Sequence, residues 1–220
     1  MLTMPSRQRC LFAACTALLA LVIPPAAEGS AATVHRQSAP TVHQRALPPI
    51  GVEVPSNMTA VDVPLEVDGA LVRINLRGGI RQRVDANPNE PDPTKSVRLR
   101  TTGFHLEGTT ADGRLRVAFD LANSDPEPSS TLQVVVSFPP SLRERDVIPL
   151  TMTIERAGQD KITLNSVNPA ILTATLKAFP PQGDHYRLEN PVDFVAPGTT
   201  TLVARLLELP ATRGGNIVPQ

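Results

Sequence analysis

A secreted hydrolase needs a nucleophile held beside a base, and this chain offers few places to build one. No G-x-S-x-G, H-E-x-x-H or glycine-rich phosphate loop occurs in it. Counting register outward from the Asp112-Gly113 turn sets His105 beside Asp120 on neighbouring strands. A nucleophilic serine would then have to come from another segment, such as Ser96 or Ser166. The plain reading is a cross-strand surface pair. The expectation is therefore a protein that is not an enzyme, with a hydrolase built on loop Ser, His and Asp residues as the alternative.

Metal chemistry has one candidate. Asp85, Asn87, Asn89 and Asp92 form a D-x-N-x-N run that would present hard oxygens at calcium-loop spacing. Glu90 stands where the EF-hand pattern needs glycine, and the terminal glutamate is absent, so an acidic, proline-stiffened crossover is the expectation and no cofactor is assigned. Sugar-stacking platforms are scarce as well, with no tryptophan and Tyr186 as the sole tyrosine.

The uneven feature is arginine. Arg73, Arg77, Arg81, Arg83, Arg98 and Arg100 lie at outward parity, followed by Arg114 and Arg116. One reading is a solvated face that keeps the protein soluble; the sharper one is an anion-binding face for an envelope polymer such as teichoic acid, for extracellular nucleic acid without sequence specificity, or for acidic lipid.

The elements that must carry these residues follow an N-terminus with the order of an export signal. Arg7 and Arg9 precede an apolar run from Cys10 to Ile23, then Pro24-Pro25 and a small-residue stretch through Ala32. That run is too short for a transmembrane helix, which needs about 20 apolar residues, so residues 1–31 are expected to be a cleaved signal and the mature chain to be secreted with no membrane span. Cys10 and Cys15 leave with it, which removes disulfides and thiol chemistry. Arg7, Arg9 and Glu28 also leave the 21 basic and 21 acidic residues, so 19 face 20 and net charge gives no reason to expect a polyanion partner.

Residues 32–56 read as a disordered Pro/Ala-rich linker, residues 57–212 as one domain, and residues 213–220 as a flexible tail. Leu209-Pro210-Ala211-Thr212 resembles a wall-sorting motif, but Arg213 replaces its glycine and no apolar stop follows. Within the domain the pattern has period two. Val72, Ile74, Leu76, Ile80 and Val84 alternate with polar residues through Gly78-Gly79, which predicts one long bent strand. The Asp112-Gly113 hairpin pairs Leu106 with Phe119, and a parity switch between Thr101 and Gly103 calls for a β-bulge at that glycine. A further hairpin pairs Met152 with Leu164. Other strands are expected at 61–67, 132–138, 170–179, 185–195 and 200–208, the last covered on both sides. The fold class is all-β, a single β-sandwich of about ten strands with an immunoglobulin-like arrangement as its template.

Pro149-Leu150-Thr151-Met152-Thr153-Ile154-Glu155, Phe179-Pro180-Pro181-Gln182-Gly183-Asp184-His185-Tyr186 and Asn190-Pro191-Val192-Asp193 resemble segments of uncharacterised small secreted proteins of actinobacteria. The resemblance spans most of the domain and implies neither an activity nor a functional residue. The function expected is a binding or structural component of the cell envelope or extracellular space.

Overall fold

The computed structural model describes residues 47–122 and 130–214. The expected signal and most of the expected linker lie outside these residues, as do 215–220. Short apolar/polar alternations broken by Gly, Pro, Asp and Asn give thirteen strands and no helix among the described residues. They are β1 (Glu53–Val67), β2 (Ala70–Ala86), β3 (Ser96–Thr109), β4 (Leu115–Leu121), β5 (Thr131–Ser137), β6 (Pro140–Ile148) and β7 (Leu150–Arg156). Then come β8 (Ile162–Ser166), β9 (Ala170–Leu176), β10 (Gln182–Leu188), β11 (Val192–Val195), β12 (Leu202–Leu206) and β13 (Ala211–Gly214). The fold is all-β, as expected.

All thirteen belong to one antiparallel hydrogen-bonded sheet, and two extra pairings, β12 with β1 and β3 with β5, close it on itself twice. One closed ladder runs β1-β2-β3-β4-β7-β8-β11-β12 and returns to β1; the other runs β1-β2-β3-β5-β6-β9-β10-β13 and returns to β1. The long strands β1, β2 and β3 serve both rings, which is why they are more than ten residues each while most others are short.

Sharing a strand between two rings requires it to change partner midway, and a bulge sits at each change. β1 pairs with β13 through Met58–Ala60 and with β12 through Leu65–Val67, and its register slips by one residue between Ala60 and Val63. β3 pairs with β5 through Ser96–Arg98 and with β4 from His105 to Thr109, with Thr102 as the extra residue between. The bulge expected at Gly103 is thus one residue earlier. Each slip flips parity, so Met58 and Ala60 are buried before it and Val63 and Leu65 after it. Only β2 keeps one parity throughout, passing through Gly78 and Gly79. A Cβ on Gly78 would stand 1.9 Å from the His105 carbonyl oxygen, so the strands there approach too closely for any side chain.

The expected hairpin registers are present: Leu106 faces Phe119, and Met152 faces Leu164. Several boundaries differ. β1 starts at Glu53, inside the expected linker, because Val54 and Met58 are buried against β2. β13 reaches Gly214, beyond the expected limit at 212, and Arg213 in it is fully buried. The segment 185–195 is two strands, β10 and β11, which join different rings on either side of Asn190-Pro191. Leu202 is 44% exposed, so the last apolar stretch is not covered on both sides.

Candidate functional site

The two rings enclose different chemistry. Inward positions of the first hold Leu65, Ile74, Leu106, Phe119, Ile154, Phe194 and similar residues, all apolar. The second encloses a polar cluster in which Gln82, Glu144, Asp146 and Arg213 are each 0% exposed and Tyr186 is 1% exposed. β6 supplies the two acids at the same parity as Leu142 and Ile148; β2, β10 and β13 bring the others from around the ring.

Arg213 Nη1 donates to Glu144 Oε1 at 2.6 Å and to Asp146 Oδ2 at 3.1 Å, and its Nη2 donates to Gln82 Oε1. Gln82 Nε2 donates to Asp146 Oδ1 at 2.6 Å and to Glu144 Oε1 at 3.3 Å, while the Tyr186 hydroxyl donates to Glu144 Oε2 at 2.6 Å. The guanidinium lies over the Tyr186 ring, 5.3 Å from its centroid. Burial, and then the neighbouring Glu144 charge, push the Asp146 carboxyl well above the usual carboxylate range against the pull of Arg213. Burial and Glu144 also push the Tyr186 hydroxyl far up, which keeps it a donor. Burial opposes the charge on Arg213, but the two acids outweigh it and raise its pKa. Arg213 Nε finds no acceptor.

Sequence reasoning missed this cluster. Glu144 and Asp146 look like exposed positions until β6 is seen to share its parity with Leu142 and Ile148, and that alternation was the available signal.

The outer face carries the arginines, in two groups. Arg73, Arg114 and Arg116 belong to the first ring and meet acids: Arg73 contacts Asp62 at 2.6 Å, Arg114 contacts Asp112 at 3.7 Å, and Arg116 lies between Glu107 and Glu155. Arg77 faces Glu107 in the β2–β3 register. Arg81, Arg83, Arg98 and Arg100 lie on the second ring, where β6 and β10 add Arg143, Arg145 and Arg187, which sequence reasoning left out. Register aligns Asp85, Arg98, Thr131, Arg145, Thr173 and Arg187 as directly paired neighbours across six strands. The three arginines in this row stand two strands apart, or about 10 Å. Arg83 and Arg100 both approach Asp85 at 3.3 Å, and Arg145 approaches Glu189 at 3.5 Å. The Nε of Arg98 is covered and makes no hydrogen bond, and that of Arg100 meets Asp85 as an ion pair without hydrogen-bond geometry. A shallow cavity of about 700 Å³ on this face is lined by Arg143, Thr173, Thr175, His185, Arg187 and the acids Asp184 and Glu189.

The residues of the candidate calcium run are engaged with neighbouring side chains and backbone. Asp85 is held by Arg83 and Arg100, and Asn87 is buried, donating to Ser96 Oγ and accepting from the Asn89 N–H. Asp92 accepts from Thr94 and lies near Lys95, which hold its carboxyl below the usual range. Among the described residues no group of three or more His, Cys, Asp and Glu side chains converges as a metal site. His105 and Asp120 do meet, at 2.7 Å, on an exposed surface beside Glu107. The two serines considered with them are engaged elsewhere, Ser96 Oγ with Asn87 and Ser166 Oγ with the Leu150 N–H.

No protein-family model matches the chain, and no curated protein matches it. Among solved structures it is similar to DynF from the dynemicin biosynthesis pathway of Micromonospora chersina, with 15% identity and a TM-score of 0.60 over 79% of this chain and 85% of that one. At that identity the likeness concerns the fold.

Proposed function

We propose that the protein is a secreted, non-enzymatic binding protein that holds an anionic polymer of the cell envelope on the outer face of its second ring. The observation that carries this reading is the row Arg98–Thr131–Arg145–Thr173–Arg187, with Arg81, Arg83, Arg100 and Arg143 beside it. Seven arginines there face four acids, Glu53, Asp85, Asp184 and Glu189, so the face is positive although the chain is neutral. A linear polyanion can lie across strands and meet cations at regular intervals, with threonine hydroxyls between them as donors.

Retention of the purified protein on a teichoic-acid or heparin matrix tests the reading. Affinity should fall steeply with salt as counterions are released. R98S/R145S/R187S should elute at much lower salt than R73S/R114S/R116S, whose arginines face acids on the other ring. Equal retention of the two variants, or no retention of the wild type at low salt, would refute it.

A further inference from the structure

The hairpin joining β5 and β6 extends past its neighbours. β3 pairs with β5 only as far as Gln133, with one more bond from the Val134 N–H to the Lys95 carbonyl, and β9 pairs with β6 only from Leu142, so residues 135–141 form a free two-stranded tip with Val136 opposite Ser141 and Ser137 opposite Pro140. At this tip alternation breaks down, because both faces of the ribbon meet solvent. Val135 is 51% exposed, Val136 45% and Phe138 92%. The other exposed large apolar residues are scattered singly or in pairs, as ordinary surfaces allow.

From Leu132 to Leu142 no residue is charged, so the tip is a convex apolar point rather than a groove. Exposed cations stand immediately behind it: Arg143 on β6, and Lys177 one residue beyond Leu176, which pairs with Leu142. Acids also stand in the loop before β3, whose Lys95 carbonyl accepts the Val134 N–H. There Asp92 is engaged with Thr94 and Lys95, and Glu90 accepts the Asp92 N–H. A protruding apolar point with a cationic collar has the chemistry of an interfacial anchor. The apolar side chains suit the boundary between headgroups and acyl chains, and the cations suit anionic headgroups.

We infer that the β5–β6 tip docks on a lipid surface bearing anionic headgroups, with Val135, Val136 and Phe138 entering the interface and Arg143 and Lys177 at headgroup level. This docking rests on the apolar tip and not on the row Arg98–Arg145–Arg187, although Arg143 borders both. The chain has no tryptophan, so F138W places a single reporter at the point of insertion. With vesicles of mixed phosphatidylcholine and phosphatidylglycerol, its emission should shift to the blue and be quenched by bromine on the acyl chains, with a much weaker shift on pure phosphatidylcholine. V135S/V136S/F138S should lose vesicle affinity on the order of tenfold or more while unfolding at the wild-type midpoint, since these side chains are exposed. R143S/K177S should weaken binding and flatten its salt dependence. R98S/R145S/R187S should keep the F138W shift even where polymer retention is lost, which separates this inference from the polymer reading. No shift on either vesicle, or self-association that the triple serine variant abolishes, would overturn the inference, the second result assigning the tip to a contact between copies of the chain.

Discussion

Phe119 and Phe194 meet inside the first ring with centroids 5.7 Å apart, while inside the second an arginine lies over a tyrosine and is held by two acids. Both interiors are built by the same three long strands, yet the first is lined by apolar side chains and the second sets a hydrogen-bonded cluster among its apolar ones. An apolar core tolerates a change of residue if volume is kept, whereas a buried ionic cluster depends on every partner being present. The comparison teaches that one strand can serve both interiors: β2 passes unbulged through both, giving Ile74 and Leu76 to the first and Gln82, between Ile80 and Val84, to the second. The larger difference lies in the strands that the rings do not share, where β6 presents Glu144 and Asp146 and β4 presents Val117 and Phe119.

The largest expected effect breaks that contrast directly. Arg213→Met would leave Glu144 facing Asp146 with no cation, and removal of one member of a buried ionic set costs about 3–5 kcal/mol. Leu106→Ala in the first ring should cost about 2–5 kcal/mol through a cavity. The distinction lies in rescue. Replacing the whole cluster together, Arg213→Met with Glu144→Leu, Asp146→Leu, Gln82→Leu and Tyr186→Phe, should recover most of the stability, because no buried polar group is then left without a partner and a well-packed apolar replacement of a buried ionic set is often neutral or better. Urea midpoints would show it. Failure of the combined variant to recover would mean that the second ring needs its polar cluster for shape, and the contrast would fall.

A second effect concerns pH. Asp146 has a folded pKa above its unfolded value of 3.8, first because it is buried and then because of Glu144. The folded state therefore holds a proton that the unfolded state releases, and burying Asp146 costs progressively more as pH rises from about 4 through the folded pKa. Glu107 and Asp193 act in the opposite sense. Hydrogen bonds from Arg116 and Arg205 lower their pKa values, so what they contribute is lost as pH falls, and it is small because they are exposed. Asp146→Asn, which imitates the protonated acid, should match the wild type near pH 4 and become the more stable of the two by pH 8. A gap that stays constant across this range would remove Asp146 as the titrating group. Leu106→Ala should show no such widening, since its side chain packs among apolar ones inside the first ring.

How much of this was legible follows from the same contrast. The first ring could be read from sequence because its inward residues are apolar and its hairpins tight: the Asp112-Gly113 turn fixes Leu106 opposite Phe119 without any knowledge of the rest. The second ring could not. Its inward residues include Gln82, Glu144, Asp146 and Arg213, which polarity assigns to solvent even where alternation with Ile80, Val84, Leu142 and Ile148 points inward, and the expected tail began at Arg213, inside β13. The arginine face was legible as a list but not as a shape. Arg98 acquires Arg145 and Arg187 as row neighbours only through the β3–β5, β6–β9 and β9–β10 pairings, which join segments far apart in the chain. Ring closure itself was invisible, although one of its two bulges was expected.

The smallest effect sharpens the comparison at the place where β1 leaves one ring for the other. Asp62, in the bulge between Ala60 and Val63, has φ of 57°, and its N–H is taken by Asn75 Oδ1 at 2.9 Å. A left-handed backbone at a residue with a Cβ costs about 1–2 kcal/mol, which Asp62→Gly would relieve. Against this, glycine adds about 0.4–1 kcal/mol of unfolded-state entropy, and the exposed contact with Arg73, worth about 0–1 kcal/mol, is lost. The terms nearly cancel, so Asp62→Gly should leave the denaturant midpoint almost unchanged. Asp62→Val loses the same contact and keeps a branched Cβ at positive φ, so it should cost clearly more than 1 kcal/mol. If the two variants lose equal stability, the bulge depends on the carboxylate rather than on backbone conformation. The partner change of β1 would then rest on the Asp62–Arg73 contact.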